Sequence, residues 1–140
     1  IPKSIKYLHL GKQIPLHNGG TPSRNWLHAK DTAEAVITII DSKIKNQIYN
    51  ICGGFEQTNL DTVNKVITLY HGEDESLKTS FPYYDEGKNQ FLDLDIERKG
   101  QDVRYALNDN KLRSLGWEPK MLFDVELPKI INYYKANFIW

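Results

Sequence analysis

The strand-like runs of this sequence are few and short. Ile14-Pro15-Leu16-His17, Asn25-Trp26-Leu27-His28, Gln47–Ile51 and Phe91–Ile96 stand apart, separated by longer stretches of chain. Strands of that length are marginal unless they join a larger sheet or pack on helices. The pattern predicts an α/β or α+β chain, with about five helices, four short strands and a partner sheet that the chain lacks. Pro15 fits an edge strand, because proline offers no N–H to a ladder. Leu92, Leu94 and Ile96 fall on one face and Asp93 and Asp95 on the other, the alternation of a half-exposed strand.

The helices announce themselves by caps and period. Pro2 suits a first helical position, Ile1, Ile5 and Leu8 share a face, and Gly11 closes a helix over residues 1–11. Asp31 with Glu34 makes a capping-box pattern, and Ala33, Val36, Ile37 and Ile40 form a stripe predicted to be buried. Thr58 with Asp61 opens a helix whose stripe is Leu60, Val63, Ile67 and Tyr70. Asn108 caps a short helix carrying Leu112 and Leu115, which Gly116 ends. The last helix carries Leu127, Ile130, Ile131 and Tyr134. Pro128 is expected in its first turn, since an interior proline costs ~3 kcal/mol. Asn18–Ser23, Cys52-Gly53-Gly54 and the polar stretch His71–Gln90 read as loops.

Composition narrows the function. With 18 basic and 18 acidic residues in 140, the net charge of zero argues against a binder of nucleic acid or anionic membranes, which call for a basic face. No apolar run approaches the ~18 residues of a membrane span. Cys52 is the only cysteine and has no internal disulfide partner, so a reducing cytoplasm is expected. The chain opens Ile1-Pro2-Lys3 and its only methionine is Met121, so it is expected to be a piece of a longer protein.

Most catalytic signatures are missing. The sequence has no Gly-rich dinucleotide fingerprint, no phosphate loop of the Walker type and no G-x-S-x-G elbow. His9, His17, His28 and His71 lack metal-ligand spacing, and Cys52 reads as a small buried residue. Asp93 and Asp95 read as a solvated strand face. Neither a catalytic residue nor a metal site is expected. Arg24 and Arg98 stand out at loop edges, where a guanidinium fork can meet a phosphate bidentately.

Three stretches then combine into a resemblance. The first is Pro15-Leu16-His17-Asn18-Gly19-Gly20, Arg24-Asn25-Trp26-Leu27 and Asp31. It resembles the P-hydrophobic-Y-G-x-G, R-D-W and V-x-D run of the nucleotide-sugar 4,6-dehydratases. Tyr49-Asn50-Ile51 and Asn59-Leu60 resemble that family's Y-N-I-G-G and N-L. Arg98 to Ala106, with Lys111, Leu115-Gly116-Trp117 and Pro119, is similar to D-R-x-G-H-D-R-R-Y-A, K and L-G-W-x-P. His17, Asn25 and Gln101 replace the family's Tyr, Asp and His.

The resemblance implies the C-terminal, substrate-binding portion of an extended short-chain dehydrogenase/reductase, a Rossmann-type α/β enzyme. By the same resemblance, NAD and all catalytic residues belong to an N-terminal portion absent here. This chain would hold a nucleoside-diphosphate sugar through Pro15, Leu16, His17, Arg24, Asn59, Glu97, Arg98 and Gln101. The parent enzyme would be a homodimer that oxidises C4 of a hexose, eliminates water across C5–C6 and returns the hydride at C6. A sister epimerase or decarboxylase, and a non-catalytic nucleotide-binding module, are the alternatives.

Overall fold

A computed structural model describes residues 1–72 and 90–137. The predicted loop His71–Gln90 therefore lies mostly outside the described residues. Helix α1 runs Pro2–His9, followed by strand β1 at Ile14–Pro15 and a tight turn at His17–Gly20. Strand β2 (Ser23–Trp26), helix α2 (Ala29–Asp41), strand β3 (Phe55–Thr58) and helix α3 (Asn59–His71) come next. Strand β4 (Leu92–Asp93), the single turn α4 (Asn110–Arg113) and helix α5 (Phe123–Ala136) complete the described chain.

Two short sheets result. β1 pairs in parallel with β4, Ile14 opposite Leu92, and β2 pairs antiparallel with β3, Arg24 opposite Gln57. The first ladder shows why a proline fits. Ile14 N donates to Phe91 O at 2.8 Å and Leu16 N to Asp93 O at 2.9 Å. The alternate position, Pro15, needs no N–H there. Helices α1, α3 and α5 close over this pair, burying Ile5, Leu8, Val66, Leu127 and Ile131 with Ile14, Leu16 and Leu92. A second cluster joins Ala35 of α2 to Leu112 and Trp117, with Leu27, Tyr49 and Ile51 half-buried against it.

Several expectations need correction. The capping box at Asp31 is absent. α2 starts at Ala29, and His28 Nδ1 accepts the Lys30 amide at 3.0 Å. Asp31 is instead 1% exposed, its carboxylate accepting the amides of Lys120 and Met121 at 3.0 and 3.1 Å. Trp117 Nε1 donates to its carbonyl at 3.2 Å, so one residue fastens α2 to the chain entering α5. The predicted buried stripe of α2 is the opposite of what is found: Ala33, Val36, Ile37 and Ile40 all face solvent.

Gln47–Ile51 forms no strand. It runs beside residues 108–111, tied by Asn50 Nδ2 to Asn108 O and by Lys111 Nζ to Ile48 O. The fourth strand is Phe55–Thr58, whose mostly polar sequence gave no period; the ladder to β2 and the Phe55–Phe123 stack at 5.0 Å hold it. Phe91–Ile96 pairs only over Leu92–Asp93, and Asp95 N donates to Asp93 Oδ1 at 3.2 Å. That bond ties the Asp93 carboxylate into a local turn. Pro128 lies inside α5, beyond its first turn, because the helix starts at Phe123. Asp109 rather than Asn108 occupies the N-cap position of the short helix, but it makes no side-chain cap bond; Asn108 Oδ1 accepts the Asn110 amide at 2.9 Å. α1 and the Thr58 cap of α3 match expectation, the latter accepting Asp61 N at 3.0 Å.

Candidate functional site

The predicted site residues come from four segments, and main-chain hydrogen bonds bring those segments to one edge of the fold. The chain leaves β1 into the His17–Gly20 turn with three consecutive left-handed residues: Asn18 (φ 53°), Gly19 (φ 63°) and Gly20 (φ 72°). Asparagine tolerates that region and glycine suits it. Gly20 is also sterically required. A Cβ there would meet Leu16 Cδ1 and Leu60 Cβ at 3.0 Å and Leu60 N at 3.1 Å. The turn is thus pressed against the N-terminus of α3.

Asn59 follows directly. Its amide donates to Pro22 O at 3.0 Å, fixing the first turn of α3 beside the entry to β2. Ser23 N donates to Val103 O at 2.8 Å, and Ser23 bridges in parallel to Arg104. The 96–104 segment therefore runs along the outside of both the turn and β2.

Arg24 sits in β2 and reaches across to that segment. Its guanidinium donates to Ser23 O at 2.7 Å and Asp102 O at 3.2 Å, and lies 4.3 Å from the centre of the Tyr105 ring. The Tyr105 hydroxyl donates to the Asp102 carboxylate. That bond, with the charge of Asp102, raises the phenol above its ordinary range, while Arg24 and Arg98 act in the opposite direction. Both guanidinium groups thus lie within electrostatic reach of one ring. Arg104 is held separately by a two-pronged pair with Glu56 at 2.8 and 3.1 Å.

Residues 98–101 form a tight turn. Gln101 N approaches Arg98 O at 3.4 Å, and Gly100 at the third position has φ 72°, the glycine preference of a type II turn. Glu97 and Arg98 are exposed and Gln101 half-buried. His17 is exposed at the start of the neighbouring turn and Pro15 is half-buried. Leu16 differs from the rest: its side chain is 7% exposed and belongs to the hydrophobic core. Sequence reasoning missed Asn18, Asp102 and Tyr105. Their signal lies in neighbours brought together only by folding.

An arrangement of this kind can hold an anion. Arg24 has five N–H donors and spends one on each of two carbonyls. Arg98 is a second cation nearby. Asn59 and Gln101 add amide donors and acceptors for sugar or base. Among the described residues no group of three or more His, Cys, Asp or Glu could hold a metal ion. His28 serves as a helix cap and Cys52 is buried. A separate apolar pocket of about 170 Å³ opens between Trp26, Phe55, Met121 and Phe123. None of the predicted residues lines it, and small-molecule pockets usually reach ~300–1,000 Å³. Gly19-Gly20 leads into β2 and Gly53-Gly54 into β3, so neither pair joins a strand to a helix N-terminus.

Comparison with known proteins gives the class of the fold first. The model of the "NAD dependent epimerase/dehydratase family" matches residues 1–52. UDP-glucose 4-epimerase from Thermotoga maritima superposes with a TM-score of 0.73 at 20% identity, covering 97% of this chain and 39% of that one, a likeness of fold alone. The chain shares its α/β fold with the corresponding part of that epimerase.

The more specific likeness is to dTDP-glucose 4,6-dehydratases. The mouse dTDP-D-glucose 4,6-dehydratase is 29% identical over 138 residues, 99% of this chain and 36% of that protein. The structure of dTDP-glucose 4,6-dehydratase from Streptomyces venezuelae, with NAD and the ligand TYD bound, gives a TM-score of 0.78 at 28% identity. The match covers 98% of this chain and 38% of that one. The chain is similar to these enzymes along nearly all of its own length and spans under two-fifths of theirs.

Proposed function

We propose that this chain is the nucleotide-sugar-binding portion of an NAD-dependent nucleotide-sugar 4,6-dehydratase, with dTDP-glucose as the substrate and dTDP-4-keto-6-deoxyglucose as the product. The observation that carries the reading is the convergence of His17, Arg24, Asn59, Arg98 and Gln101 on one edge, with Arg24 stacked on Tyr105 and the 98–101 turn bonded to Asn18. The arginines meet the diphosphate, where charge-assisted bonds contribute ~1.5–3 kcal/mol each. Asn59 and Gln101 meet the sugar or base, with Pro15, Leu16 and His17 along the base and ribose.

NAD is held by residues outside this chain, since neither glycine pair forms a cradle for it. It supplies the hydride acceptor and donor of the reaction. This chain orients the substrate and contributes no catalytic side chain, so the 140 residues alone bind nucleotide without turnover. The whole protein works as a homodimer in the cytoplasm, engaging neither nucleic acid nor membrane. No described helix is long and apolar enough to cross a bilayer.

The test is a ¹⁵N NMR titration of the chain with thymidine diphosphate. Shifts confined to residues 16–18, Arg24, Asn59 and residues 97–105 are expected. Shifts elsewhere, or none at millimolar nucleotide, would refute the reading. An epimerase or decarboxylase reading within the same fold would be settled by product analysis of the full-length enzyme.

A further inference from the structure

Asn18 holds more of the candidate site together than any residue named from the sequence. Its Oδ1 accepts the Arg98 amide at 2.8 Å, and its Nδ2 donates to Arg98 O at 3.2 Å and to Gln101 Oε1 at 3.4 Å. Its own amide donates to Ile96 O at 2.8 Å, and its carbonyl accepts Thr21 N and Oγ1 at 3.3 and 3.0 Å. Two segments 80 positions apart are joined at this one residue.

The side chain is not needed for the backbone. Glycine would satisfy φ 53° equally well, and glycine stands here in the related pattern. What asparagine adds is an amide that pairs with both main-chain groups of Arg98, as a neighbouring strand would. The carbonyl it holds is the one that also receives Gln101 N to close the turn. Both Nδ2 protons are spent on the turn, so Asn18 is poorly placed to donate to a ligand.

We propose that Asn18 is the positioning residue of the nucleotide site: its amide locks the 97–101 turn in place, so that Arg98 and Gln101 are ordered before the nucleotide arrives. This rests on the nucleotide-binding reading above and adds to it a residue that acts through others. Ordering a turn before binding removes that cost from the association itself.

The experiment compares the chain with its Asn18→Gly variant by ¹⁵N relaxation and by calorimetric titration with thymidine diphosphate. In the wild type, residues 97–101 are expected to have the order parameters of rigid backbone, ~0.85, falling below about 0.6 in the variant. Affinity is expected to fall roughly ten-fold while the melting temperature stays put, a split that a purely structural role would not give. Unchanged order at 97–101, or lost order with unchanged affinity, would overturn the proposal.

If Asn18→Gly fails to fold, Asn18→Asp keeps the acceptor for Arg98 N–H and loses both donations. Partial loss of order is then expected, and full order with full affinity would overturn the clamp. The two readings fail separately. If the wild type binds no thymidine diphosphate, the nucleotide site falls and takes Asn18's binding role with it. If Arg24→Ala weakens binding but Asn18→Gly does not, only the positioning role falls.

Discussion

Replacing Arg24 with alanine tests the anion grip most directly. The guanidinium is pre-set by bonds to Ser23 O and Asp102 O and by stacking on Tyr105 at 4.3 Å. Two of its five N–H groups are engaged, which leaves a free fork for phosphate oxygens. Losing one charge-assisted interaction of ~1.5–3 kcal/mol lowers affinity by about 13- to 160-fold. The stability cost should be far smaller, since an exposed cation–π contact contributes only ~0.5–1 kcal/mol. Calorimetric titration with thymidine diphosphate at fixed ionic strength reads the first quantity, and urea unfolding reads the second. Arg24→Lys should restore only part of the affinity, because a point charge cannot reproduce the fork. Affinity within two-fold of wild type for Arg24→Ala would refute the phosphate role and leave Arg24 as a brace for residues 102–105.

Two further outcomes follow from the same geometry. Asp31→Ala removes the acceptor for two amides beneath the start of α5 and should cost about 3 kcal/mol of unfolding free energy, with Asp31→Asn losing roughly half as much. Urea melts decide it, and a loss under about 1 kcal/mol for the alanine variant would show the staple to be idle. The Tyr105 phenol should titrate above the ordinary tyrosine range, because its neutral form donates to Asp102 and its phenolate would face that carboxylate. Asp102→Asn removes the negative charge and leaves Arg24 and Arg98 to favour the phenolate, so ionisation moves to lower pH. Ring ¹³C shifts followed against pH test this, and an unmoved titration would remove Asp102 as the cause.

The local features of the fold were legible where one residue decides them. Thr58 caps α3 as its hydroxyl dictates, and the left-handed glycines fall where turns were expected. Asp31 misled because a capping pattern is a statement about three neighbours, whereas its carboxylate is taken by amides about 90 positions away. The site divides in the same way. Arg24 and Arg98 were visible as arginines at loop edges, but Tyr105 and Asp102 join them only once β2 and residues 102–105 lie side by side. Leu16 was carried along by the motif around it, and the fold turns its side chain into the core.

The reversal in α2 has a physical explanation. Period alone reports that a helix has an apolar side, not which surface will cover it. Here Ala35 faces inward against Leu112 and Trp117, with Ile39 half-buried beside them, while Val36, Ile37 and Ile40 point away from the chain. Beyond the helix, Ile44 and Ile48 continue the exposed apolar surface, 49% and 87% accessible. A helix apolar on both sides is the pattern of an element inside a larger body. The neighbouring Gln47–Ile51 has strand-like sequence and no ladder beside it among the described residues. Both features agree with relatives of which this chain spans about 36–38%. The proposed nucleotide edge, by contrast, is assembled from the end of β1, the turn, β2, α3 and the 96–105 segment. Nucleotide binding is therefore expected of these residues on their own, and chemistry is not.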